Sequence, residues 1–125
     1  MQTKDFLGHV QNRARLASEG EALRITRATL ETLGERLHGG EAKDLASQLP
    51  QEIGAYLTDA DKEQKYDYVE FIKKVSEREG TGTGGAKAVF HAQAVISVVK
   101  DAVSTGEIDD VREQLPDEFD RMFEM

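Results

Sequence analysis

The sequence predicts an all-α fold: two tandem four-helix repeats packed into one compact helical bundle of 125 residues. Three observations carry that prediction. Apolar side chains recur at helical spacing. No segment alternates apolar and polar residues for long enough to make a strand. And the chain is written twice. Residues 39–57 read GGEAKDLASQLPQEIGAYL and residues 105–123 read TGEIDDVREQLPDEFDRMF, an offset of 66 with seven identities in nineteen positions. The identities are Gly40/Gly106, Glu41/Glu107, Asp44/Asp110, Gln48/Gln114, Leu49/Leu115, Pro50/Pro116 and Glu52/Glu118. Upstream, Phe6/Phe71, Val10/Val75 and Arg13/Arg78 match at an offset of 65, which puts one extra residue in the second copy, within the glycine-rich segment Gly80 to Gly85. The chain is expected to form a single domain over 1–125, with repeat one at about 4–57, a charged linker at about 58–65 and repeat two at about 66–123.

Each repeat then divides into four helices. The first spans about 5–16, and 67–79 in the second copy, with Phe6, Val10 and Phe71, Ile72, Val75 on one stripe. Asp67-x-x-Glu70 and Ser18-x-x-Glu21 have the reciprocal spacing that satisfies free N–H groups at a helix start. The second helix carries Leu23, Leu30, Leu33 and Leu37 inward and Arg24, Arg27, Glu31 and Glu35 outward. Its counterpart, about 85–104, is apolar around most of its circumference and is expected at the centre of the fold. Gly39-Gly40 and Gly106 suit a helix stop. A third helix runs to Gln48 and Gln114, Ser104-x-x-Glu107 forms a further capping box, and Pro50 and Pro116 open a short fourth helix at its first position.

The phrase G-G-E-A-x-D-L-x-x-Q-L-P-x-E, repeated as G-E-x-x-D-V-x-x-Q-L-P-x-E, resembles a family called domain of unknown function 2267. The preceding A-T-L-E-T-L-G-E-R-L and the F-x-x-x-V of each first helix are similar to the same family, over nearly the whole chain. The resemblance implies an all-helical two-repeat domain and supplies no catalytic or binding residues.

Composition narrows the chemistry. With 38% apolar and 32% charged residues and no cysteine, disulfide scaffolds, thiolate catalysis and Cys-ligated metals are excluded. The net charge of −8 argues against nucleic-acid binding. No apolar stretch approaches the roughly 20 residues that span a bilayer, and Met1 to Asp5 lack the layout of a signal peptide; a cytoplasmic location and no membrane association are expected.

Gly80-x-Gly82-x-x-Gly85 matches the dinucleotide fingerprint but follows a helix where the fingerprint needs a strand. It reads as a helix connection, whose N–H groups could with Lys87 hold a small anion. His9, His38 and His91 lack metal-ligand spacing. His91 reads as a hydrogen-bonded core residue, and His38 as a cation near a helix C-terminus. No catalytic residue, metal ligand or cofactor is assigned.

The leading expectation is a non-enzymatic helical interaction module, self-associating or docking to a protein partner through Met122, Phe123 and Met125. The alternative is a small-molecule or ion-binding protein with a site between the two repeats. There Asp44, Gln48, Asp110 and Gln114 are the first candidates, since each Asp lies four residues before its Gln and shares a helix face with it. An enzyme of unrecognised type comes third.

Overall fold

The computed structural model describes residues 1–59, 63–80 and 84–125. Among them the secondary structure is entirely helical, in the order α1 (Thr3–Arg13), α2 (Glu19–Arg36), α3 (Glu41–Ser47), α4 (Gln51–Thr58), α5 (Tyr68–Glu79), α6 (Gly84–Ala102), α7 (Thr105–Glu113) and a closing 3-10 helix (Asp117–Phe123). Two longer helices are followed by two short elements, and the same order then recurs.

α1 ends at Arg13, three residues short of the predicted end. Arg15 takes a left-handed conformation (φ 56°), its N–H donates to the Asn12 carbonyl, and the Leu16 N–H reaches back to the Gln11 carbonyl. That pair of bonds is a Schellman termination, with arginine where glycine is usual. Ser18 then starts α2 as its spacing predicts: its Oγ accepts from the Glu21 N–H (3.2 Å), and the Glu21 carboxylate accepts from the Ala17 and Ser18 N–H groups. Asp67 and Glu70 repeat the arrangement at α5.

Other expectations shift by a residue or change character. Pro50 and Pro116 sit one position before their helices, not at the first helical residue. Gly106 lies inside α7 and stops nothing; Gly39 and Gly40, both left-handed, make the turn into α3. The fourth element of the second half is a 3-10 helix, opened by the Phe119 N–H bonding the Pro116 carbonyl three residues back. Leu23 is not on the buried stripe of α2: it is 39% exposed, and Ala22, Ile25 and Thr26 take the inward positions. The linker expected at 58–65 and the glycine-rich segment fall partly on 60–62 and 81–83, outside the described residues.

α6 is buried along most of its length, as expected of a central helix, but α2 shares the centre with it. α2 packs on α1, α4, α5 and α6, while α6 packs on α1, α2, α5 and the 3-10 helix. Phe6, Leu30, Leu33, Ile53, Leu57, Phe71, Phe119 and Met122 form one contiguous core. Phe119 meets Tyr68 and Phe71 edge-to-face, with ring centroids 5.3 and 5.4 Å apart, so the 3-10 helix closes over α5. α2 and α4 approach so closely at Gly34 that a Cβ there would lie 2.3 Å from the Leu57 carbonyl oxygen.

Candidate functional site

The four residues singled out for a ligand site gather where α3 meets α7, but two of them are already occupied. The Gln48 side-chain carbonyl accepts from the Ser104 N–H (2.8 Å). Gln114 clamps His38 at both ends, its Oε1 accepting from the backbone N–H (2.9 Å) and its Nε2 donating to the carbonyl (3.0 Å). Each glutamine thus satisfies backbone groups just before the other short helix, where helix starts leave free donors.

Between them lies a carboxyl pair that the sequence presents only as helix-start acids. Glu41 and Glu107 are both buried and hydrogen-bond to each other, with Asp44 and Asp110 close by. Ser104 still caps α7, its Oγ accepting from the Glu107 N–H (3.2 Å). Burial above all, then the charges of Glu41, Asp44 and Asp110, pushes the Glu107 carboxyl up to about 7. Burial likewise raises Glu41, opposed by its bond to Glu107. Two such groups share one proton instead of carrying two charges. Among the described residues no group of three or more His, Asp or Glu side chains is arranged to hold a metal ion, at this junction or elsewhere. Asp44 and Asp110 are exposed flanking charges. The arrangement joins two helices.

The proposed docking residues fare differently. Met122 and Phe123 are buried, folded inward by the 3-10 helix, and only Met125 is exposed. A surface contact through all three is therefore incompatible with the fold. The Arg112 guanidinium lies over the Phe123 ring, 5.0 Å from its centroid, which covers that side chain further.

A second place has more chemistry. A cleft of about 630 Å³ opens between the end of α1 and the start of α2 on one side and α5 and α6 on the other. Deep in its wall His91 Nδ1 lies 3.0 Å from Glu79 Oε1, and both residues are buried, at 7% and 1% exposure. A carboxylate can only accept here, so the imidazole donates through Nδ1, which fixes the ring's orientation. Leu16, Ile25 and Phe90 give the cleft an apolar lining; Arg15, Arg24 and Lys87 stand at its exposed rim. The hydrogen-bonded reading of His91 agrees with this geometry. Glu79 had a signal of its own: Phe71, Val75 and Glu79 step by four residues along the core stripe of α5, and a carboxylate on such a stripe requires a partner.

A larger groove, about 820 Å³, runs past Met1, Leu7, Leu23, Ile53 and Tyr56. Its charged lining residues, Lys4, Glu19 and Glu52, are all exposed, so it lacks the buried ionisable pair of the cleft. Among the described residues no helix is long and apolar enough to cross a membrane.

A family model described as an uncharacterized conserved protein (DUF2267) matches residues 3–122, and the chain belongs to that family. No curated protein is similar enough to match it.

Proposed function

We propose that this member of the family is a small-molecule-binding protein whose ligand occupies the cleft between the two halves of the chain. One observation carries the reading: a buried glutamate–histidine pair in the cleft wall. Taking a carboxylate and an imidazole out of water is costly even when they are paired, and apolar side chains of similar volume often serve a core better. The repeat supports this. At the offsets of the duplicated sequence, Ala14 corresponds to Glu79 and Ile25 to His91, so the other copy fills the equivalent positions with apolar residues. Glu21/Lys87 reverses the charge, and Arg24/Phe90 exchanges a cation for an aromatic ring. We read the cleft as the place where two copies of one helical unit face each other and have diverged in chemistry.

The test is a titration of ¹⁵N-labelled protein with small acids, bases and neutral aromatics, followed by amide chemical shifts. Shifts centred on Ala14, Leu16, Ile25, Phe90 and His91, reduced at least tenfold in affinity by His91→Phe, are expected. Binding confined to other surfaces, or saturable binding that His91→Phe leaves unchanged, overturns the reading.

Protein docking keeps one supporting observation. Met1 and Leu23, both exposed, share the larger groove with Leu7, Ile53 and Tyr56. If that groove joins two copies, sedimentation velocity will show a concentration-dependent dimer that Leu23→Ser removes. A monomer at all concentrations excludes self-association there.

A further inference from the structure

Resting on the cleft as the binding site, we propose that its ligand is a small organic carboxylate, with the acid group held at the rim by Arg15, Arg24 and Lys87 and the hydrocarbon body against Leu16, Ile25 and Phe90. The charge arrangement comes first. The chain as a whole carries −8, yet three cations gather at one opening. Arg13, Arg27, Arg36, Arg78 and Arg112 are each engaged in a hydrogen bond or ion pair. Among the described residues the side chains of Arg15, Arg24 and Lys87 have no such partner. The two acids in the cleft are both committed, Glu21 to the N-terminal backbone of α2 and Glu79 to His91. Uncommitted positive charge therefore faces the space without a protein anion to neutralise it.

Arg15 adds an independent point. Its left-handed backbone is the conformation glycine adopts without cost, and the corresponding helix end in the second half has Gly80 there, at φ 73°. An arginine is strained at such a position. Strain of this kind persists where the side chain has a use that a glycine could not supply. A guanidinium fork matches a carboxylate through two parallel N–H···O bonds, and the apolar lining suits a hydrocarbon body better than a fully hydrated ion.

The experiment measures binding of benzoate and hexanoate by calorimetry, with inorganic phosphate, benzyl alcohol and benzylammonium as comparators. It is repeated on Arg15→Gly, Lys87→Gln and Arg121→Gln, the last an arginine outside the cleft. Thermal melting is recorded for each. The expected result is binding of a carboxylate probe that weakens at least tenfold in Arg15→Gly while that variant melts at a higher temperature. Lys87→Gln should weaken it too, and Arg121→Gln should leave it unchanged. Opposite signs on stability and binding separate a ligand-binding role from damage to the fold. Phosphate binding as tightly as the carboxylates overturns the ligand class. So does preference for the alcohol or the ammonium probe, though in both cases the cleft remains a binding site. Failure of every probe, or a carboxylate affinity equal in wild type and Arg15→Gly, overturns the proposal outright; the broader titration of the cleft then stands or falls separately.

Discussion

Ser104 and Glu107 have the spacing of a reciprocal cap, yet the Glu107 carboxyl pairs with Glu41 on a helix that lies 66 residues earlier. That diversion sets a pH dependence. In the unfolded chain the carboxyl titrates near its ordinary 4.5, whereas in the fold it keeps its proton to about 7. The pair's contribution to stability is thus fully present below pH 4.5 and is lost as pH rises through about 7, when two buried charges face each other. Glu107→Gln removes the titration and retains an amide that can donate to Glu41. Thermal melts from pH 5 to pH 8 should show the wild type losing stability with pH relative to the variant. Near pH 8 the variant should melt higher by roughly several degrees, the scale of a kcal/mol-sized change in a domain this long. Parallel pH profiles for the two proteins would contradict the shared proton. Local spacing could not reveal the pair: a capping box is legible within four residues, while a competing partner from another helix is not. Arg15 was hidden for a related reason, since a left-handed helix end is expected from glycine and the sequence offers arginine.

Among the helices, spacing between glycine positions and neighbouring backbones sets the tolerance to change. In α2 a methyl group added at Gly34 meets the Leu57 main chain, which cannot turn aside as a flexible side chain would. Gly8, inside α1, has open space around its missing Cβ. Gly34→Ala should therefore destabilise by about 3 kcal/mol or more through forced separation of α2 and α4. Gly8→Ala should instead stabilise by roughly 0.5–1 kcal/mol through the lower entropy loss of alanine in a helix. Urea unfolding of both variants checks the pair of signs, and a neutral Gly34→Ala would disprove the tight crossing. Helix starts at Ser18 and Asp67 were readable in the sequence because their caps are local chemistry. The 3-10 geometry of 117–123 was not, since proline followed by acids and aromatics fits either helix type and packing of Phe119 against α5 decides. Leu23 fits the helical period yet points outward, because the buried face of α2 is shared among four neighbouring helices and its small residues, Ala22, Thr26 and Thr29, let them approach.

For the molecule as a whole, the two halves are held at the α3–α7 junction by a reciprocal exchange: Gln48 serves the backbone of Ser104, and Gln114 serves that of His38. Gln114 makes two such bonds and Gln48 one, at about 1 kcal/mol net for each. Gln114→Ala should accordingly cost about twice as much as Gln48→Ala in chemical denaturation, and equal losses would show that the second bond contributes nothing. The recurring Q-L-P-x-E drew attention to these glutamines but not to their role, because a sequence shows that two positions match without showing that each reaches across to the other half of the chain. The same exchange bears on how the chain reaches its final form. His38 and Gln114 are separated by 76 residues, and Gln48 and Ser104 by 56. Contacts that far apart slow folding relative to a bundle stitched by neighbours, since a long loop must close before they yield anything. During synthesis the first half emerges before Gln114, which binds the His38 backbone ahead of α3, has been made. The bonds between Gln114 and His38 therefore close only after the whole of the first half has been synthesised.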